Sequence, residues 1–170
     1  MDGTSQRPLQ YEDTDNGPVA RALEGAITTR SLPAQDIPPG RDHMFEIVFQ
    51  LDHPRFIQLR GQKPPLHFHS SQEEYMTVLE GRLCIEVEGQ ERVLTSDDGE
   101  VAIRPWTHHR LWPPPPADGP SGRRTVFLLS STDSDQTFKL DEVFYENWYS
   151  YQEEIVIRGK KVDVLQVLSR

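Results

Sequence analysis

Two histidines one residue apart, His67 and His69, are followed by a carboxylate at Glu74. They lie in the stretch Gly61-Gln-Lys-Pro-Pro-Leu-His67-Phe-His69-Ser-Ser-Gln-Glu-Glu74-Tyr-Met-Thr-Val-Leu-Glu-Gly81. In an extended strand, residues i and i+2 face the same side, so His67 and His69 aim at one point while Phe68 turns away. Ser70 to Gln72 are polar and turn-prone, which lets the chain bend before Glu74 opens the next strand. Two imidazoles and a carboxylate converging on one point make a site for a divalent transition metal. Glu73 falls on the opposite face and is expected in solvent. An isolated His-x-His pair would read as surface residues; the carboxylate turns the reading towards a metal.

The rest of the chain supplies strands to hold such a site. Phe45 to Leu51 alternates apolar and polar residues, and Arg55 to Arg60 is expected as a second strand. Tyr75 to Leu79, Arg82 to Glu88, Glu91 to Leu94, Glu100 to Ile103 and Arg123 to Ser130 follow, with Gly81, Gly89 and Gly99 at or beside the turns between them. Many short strands with glycine-centred turns predict an all-β sandwich or barrel. The segment Trp112-Pro113-Pro114-Pro115-Pro116 favours a stiff polyproline II loop near the barrel mouth. Beyond it the period changes. Phe144, Trp148, Tyr151 and Ile155 fall at i, i+4, i+7 and i+11, a helical stripe expected to pack on the barrel and to end near Gly159. Val162, Leu165 and Leu168 suit a short second helix. Residues 1–30 read as a flexible acidic arm, 31–135 as the barrel and 136–170 as the helical segment.

Composition removes several classes of function. A net charge of −9 argues against nucleic acid or an anionic membrane as partner. No apolar stretch is long enough to span a bilayer, and the polar start of the chain shows no secretory signal, so a soluble cytoplasmic protein is expected. The single cysteine, Cys84, lies in an apolar run and reads as a core residue.

Position for position, Gly61, His67, His69, Glu74 and Gly81 resemble the first motif of the cupin superfamily: Gly, five residues, His-x-His, four residues, Glu, six residues, Gly. The family's second motif resembles Gly99-Glu-Val-Ala-Ile-Arg-Pro105-Trp-Thr-His108-His109, but Trp106 or Thr107 stands where cupins usually have glycine. That resemblance implies a jelly-roll (double-stranded β-helix) barrel of the small, single-domain cupin-2 type, with the C-terminal helical extension outside the motifs. It implies a third histidine ligand. Aligning Thr107-His108-His109-Arg110 with the family's common ending points to His109, with His108 the alternative. The implied ligand set is His67, His69, Glu74 and His109 around one divalent metal ion, with iron or manganese favoured and zinc or nickel tolerated. A homodimer and a small-molecule substrate follow from the same resemblance, as does a setting in fungal secondary metabolism.

Three functions compete on these residues. The first is a metal-dependent oxidoreductase or dioxygenase. The second is non-redox decarboxylation, isomerisation or dehydration at the same metal; no general base beyond the ligands stands out for it. The third is a binding module, favoured by the altered second motif and by a Trp106 that would narrow the mouth. Substrate-dependent oxygen uptake separates the first from the second, and ligand binding without turnover marks the third. Catalytic residues beyond the metal ligands are not identified.

Overall fold

The computed structural model describes residues 10–14, 17–59, 62–115, 122–136, 140, 144, 147–149 and 151. Ten strands account for about half of these: β1 (Gln10–Thr14), β2 (Gly17–Ala22), β3 (Ile27–Ser31), β4 (Arg41–Gln50), β5 (Glu74–Glu80), β6 (Leu83–Val87), β7 (Gln90–Leu94), β8 (Glu100–Ile103), β9 (His109–Trp112) and β10 (Arg124–Thr132). They form an antiparallel seven-stranded sheet in the order β1-β2-β3-β4-β10-β5-β8 and a three-stranded sheet in the order β7-β6-β9. The all-β jelly-roll expectation is met. In the C-terminal segment, Phe144, Asn147, Trp148, Tyr149 and Tyr151 are helical. The expected helix end at Gly159 and the second helix at Val162–Leu168 lie outside the described residues, as does the proline loop from Pro116 onwards.

Alternation builds the core. Along β5, Glu74, Met76 and Val78 point inwards, while Tyr75 and Thr77 are only half-buried on the other face. Phe127 of β10 packs edge-on against Phe49 of β4, with ring centroids 5.1 Å apart, and Phe49 meets Phe56 at 5.5 Å. Phe127 is fully buried, and removing a ring of that size from water contributes about 2–3 kcal/mol. Cys84 is buried, as a core residue should be, and burial pushes its thiol up. Glu73 faces away from Glu74 as parity requires, but it is half-buried and accepts a hydrogen bond from the Tyr75 hydroxyl at 2.6 Å.

Two local readings are corrected. The stretch expected as a mobile arm supplies β1, β2 and β3 within its described part, and β3 pairs with β4. What anchors it is small or isolated: Ala22, Leu23, Ala26 and Ile27 are buried, a cluster too short to register as alternation. The run from Arg55 is not a strand but part of a short helix, α1 (Pro54–Gln58). His53 caps it by accepting the Arg55 amide at Nδ1, and Pro54 occupies the first turn, where its missing N–H costs nothing.

Candidate metal centre

The site lies where the two sheets meet. Glu74 opens β5 of the larger sheet, and its carboxylate is buried because the inward face of that strand begins with it. His109 opens β9 of the smaller sheet and is also buried. His67 joins them through an isolated antiparallel bridge: its amide donates to the His109 carbonyl at 3.0 Å, and the His109 amide returns a bond to the His67 carbonyl at 2.8 Å. His69 follows at i+2 on the same side. One donor atom from each of His67, His69, Glu74 and His109 lies within 4.8 Å of the others. All the residues expected at the site are therefore brought together. Of the two alternatives in the second motif, His109 is in the cluster. His108 is outside it, exposed, 3.4 Å from Glu88.

Hydrogen bonds decide which ring nitrogens face the cluster. His67 Nδ1 is 3.2 Å from the Pro65 carbonyl oxygen, and His109 Nδ1 is 2.9 Å from that of Thr107. A carbonyl oxygen only accepts, so each Nδ1 carries the proton and each Nε2 remains for the cluster. His109 Nε2 lies 2.7 Å from Glu74 Oε2 and donates to it, which makes His109 an imidazolium on a buried carboxylate. His69 Nε2 is buried and has no hydrogen-bond partner among the described residues; Glu74 Oε2 is 3.7 Å away.

The charges follow. Burial lowers His67 to about 3, and the neighbouring His109 and His69 add to the effect, so the ring is neutral at pH 7. Burial by itself would raise Glu74, but the hydrogen bond from His109 and the nearness of His69 hold it well below the usual carboxylate range. Burial opposes a charge on His109 as well, and there too the Glu74 hydrogen bond outweighs it, raising the imidazole. An orphaned buried nitrogen costs about 1–3 kcal/mol. A divalent cation held by this cluster would supply His69 with its partner and replace the proton shared by His109 and Glu74. Three imidazoles and one carboxylate thus fit a borderline transition metal in both donor type and charge.

Aromatic side chains complete the surroundings. Trp148 lies with its ring centroid 4.8 Å from that of His67, and Phe144 lies 5.7 Å from His69. The helical stripe that the sequence reads as barrel packing therefore packs on the histidines themselves. Gln72, which the motif leaves unassigned, pins this segment. Its buried amide donates to Ser131 Oγ at 3.0 Å and to the Thr132 carbonyl at 2.6 Å, and its oxygen accepts the Leu140 amide at 2.5 Å. Tyr149 is buried, its hydroxyl bonded to Thr29, and burial pushes its phenol up. Only the i, i+4 pairing of Phe144 with Trp148 signalled any of this in advance.

Trp106 does not narrow the mouth. It is 65% exposed and stacks on Phe68, on the side away from the cluster, with centroids 5.3 Å apart. Its φ is +64°, in the left-handed region where glycine is favoured.

Residues 56–114 match the cupin domain family, Cupin_2. The chain is also similar to three fungal proteins. One is an oxidoreductase of Arthrobotrys oligospora, 40% identical over 162 residues, covering 94% of this chain and 61% of the relative. Another is the probable oxidoreductase yanE of Aspergillus niger, 38% identical over 150 residues, covering 86% and 56%. A third is the epoxidase atD of Aspergillus terreus, 34% identical over 160 residues, covering 88% and 48%. The chain thus spans between 48% and 61% of the length of these relatives. Among the described residues, no helix is long and apolar enough to cross a membrane.

Proposed function

The chain belongs to the cupin superfamily, and from that premise we propose that it is a metal-dependent oxidoreductase acting on a small organic substrate, in a fungal secondary-metabolic setting. The observation that carries the reading is the convergence of His67, His69, Glu74 and His109, with a buried His69 nitrogen left without a partner among the described residues. The names of the relatives, oxidoreductase and epoxidase, support the reaction class. The metal would be held by these four side chains. When bound, it supplies Lewis acidity and, if it is iron or manganese, one-electron chemistry.

The chain's own residues prepare the site. The Pro65 and Thr107 carbonyls hold the His67 and His109 rings in the tautomer a metal needs. Burial keeps His67 unprotonated at neutral pH. Phe144 and Trp148 shield the His67–His69 side from bulk water. With a divalent ion, three neutral imidazoles and one carboxylate leave a net charge of about +1, which suits an anionic oxygen from substrate. A homodimer belongs to this reading and is checked by the mass of the protein in solution.

The first test is metal content in protein purified without chelators. About one iron or manganese per chain is expected, lost in the His67→Ala/His69→Ala variant and in His109→Ala but kept in His108→Ala. The metal-site reading is falsified if the double variant keeps the metal of the wild type. Zinc or nickel alone would shift the reaction towards non-redox chemistry.

A further inference from the structure

The cluster is not equally covered on all sides. Glu74 and His109 are buried, whereas His67 and His69 are only half-buried. The least covered part of the centre is therefore its His67–His69 side. Phe144 and Trp148 stand on that side, themselves half-buried, each in ring contact with one of the two histidines. Their own rings are nearly parallel, 10° apart in plane with centroids 6.3 Å from each other. They sit four residues apart on a helical segment, which puts both on one face. A molecule that approaches the cluster from this less covered side meets this pair.

We propose that Phe144 and Trp148 form the substrate-ring platform of the site, and that the substrate is a planar aromatic or conjugated ring bearing an acidic oxygen. The inference rests on the metal-centre reading above for the oxygen, which the residual positive charge of the centre would take. For the ring it rests on the aromatic pair alone. A flat ring gains from offset or edge contact with phenyl and indole faces, while a saturated ring of the same size is thicker and lacks the quadrupole to match. The segment is placed for the role by contacts outside the wall: Gln72 holds Leu140, and the Tyr149 hydroxyl bonds Thr29. Trp148 is the specificity-determining residue of the pair, because its larger face lies against His67 at 4.8 Å, nearer than Phe144 lies to His69.

Benzoate and cyclohexanecarboxylate separate these terms. Both are ionised at pH 7 and offer the same carboxylate, so a metal centre treats them alike. The saturated acid is the more hydrophobic, so plain burial would favour it. Calorimetric titration of the zinc-loaded full chain should show benzoate bound about tenfold more tightly, the size of one or two aromatic contacts. Trp148→Leu should reduce that preference to about twofold or less with zinc content unchanged, and Phe144→Leu should lower it in part. Trp148→Phe, which keeps an aromatic face and guards against a folding defect in the leucine variant, should retain most of it. No benzoate binding at millimolar concentration, equal binding of the two acids, or an unchanged preference in Trp148→Leu overturns the proposal. Zinc content measured on the same samples keeps the two readings apart. If the wild type holds no metal, the metal-centre reading fails, and the benzoate preference of the metal-free protein still decides whether the platform exists.

Discussion

Replacing Gly81 with alanine probes the turn that fixes where β5 ends, and Gly89 provides a matched control. Both glycines have φ of +76° and both join neighbouring strands. They differ in what a side chain would meet. A Cβ on Gly89 has nothing within 4 Å, whereas one on Gly81 would lie 2.4 Å from the Arg124 carbonyl oxygen and 3.3 Å from the Thr125 Cα, both backbone atoms of β10. The left-handed conformation costs a residue with a Cβ about 1–2 kcal/mol. Alanine returns about 0.4–1 kcal/mol by restricting the unfolded chain. Gly89→Ala should therefore destabilise by about 1 kcal/mol. Gly81→Ala adds an overlap that only a backbone shift can relieve, and forced shifts of this kind cost about 1–3 kcal/mol. The total is about 2–4 kcal/mol, or a fall in Tm of roughly 5–15 °C for a chain of this size. Urea denaturation of metal-free protein, followed by circular dichroism, measures both variants. Equal losses in the two would refute the steric argument, and a Gly81→Ala loss below about 0.5 kcal/mol would refute the conformational one as well.

Three further outcomes are expected. Gln72→Leu removes a buried amide that makes three hydrogen bonds and strands the Leu140 amide, so it should cost about 2–4 kcal/mol in the same urea experiment; a loss near zero would mean the pin is not holding the C-terminal segment. At Trp106, relief of about 1–2 kcal/mol of backbone strain offsets about 0.5–1.5 kcal/mol of lost stacking on Phe68. Trp106→Gly should therefore stay within about 1 kcal/mol of wild type, while Trp106→Val should fall below both, and a valine variant as stable as the glycine one would remove the strain argument. In metal-free protein at pH 7, nitrogen NMR should find His67 neutral with its proton on Nδ1; a proton on Nε2 would contradict the assignment made from the Pro65 carbonyl.

The site was more legible than its setting. Parity alone puts His67 and His69 on one side, and Glu74 as the first inward residue of β5 follows from the turn at Ser70 to Gln72. The resemblance pointed to His109 over His108, but parity alone could not, because adjacent residues of a strand face opposite ways and nothing in the pair itself says where β9 begins. The bridge between His67 and His109 sets that register. Strands β2 and β3 were hidden because the buried positions in and beside them are small residues or single positions, such as Ala22, Ala26 and Ile27. At α1, the apolar pattern of Phe56 and Ile57 looked extended, whereas the signal that mattered lay just upstream in the His53–Pro54 cap. The role of Phe144 and Trp148 was out of reach for another reason. An amphipathic stripe shows that a face is covered, but what it covers depends on a tether far away in sequence, here Gln72.

One local device recurs in both halves of the centre. His67 and His109 each give their Nδ1 proton to the carbonyl two residues earlier, Pro65 in one case and Thr107 in the other. The same spacing that aims a side chain inwards thus also places an acceptor behind its ring. Because the two histidines pair through their backbones as well, fixing one ring helps to fix the other. β-sheet hydrogen bonds and the Glu74–His109 contact hold the cluster in place, and none of them needs a cation. Such a barrel should fold without its ion, unlike a zinc finger, whose ligands have no fixed frame until the metal joins them. Binding energy that need not be spent on organising the chain remains available as affinity. A cation would give a partner to His69 Nε2, the buried ring nitrogen of the cluster that has none among the described residues.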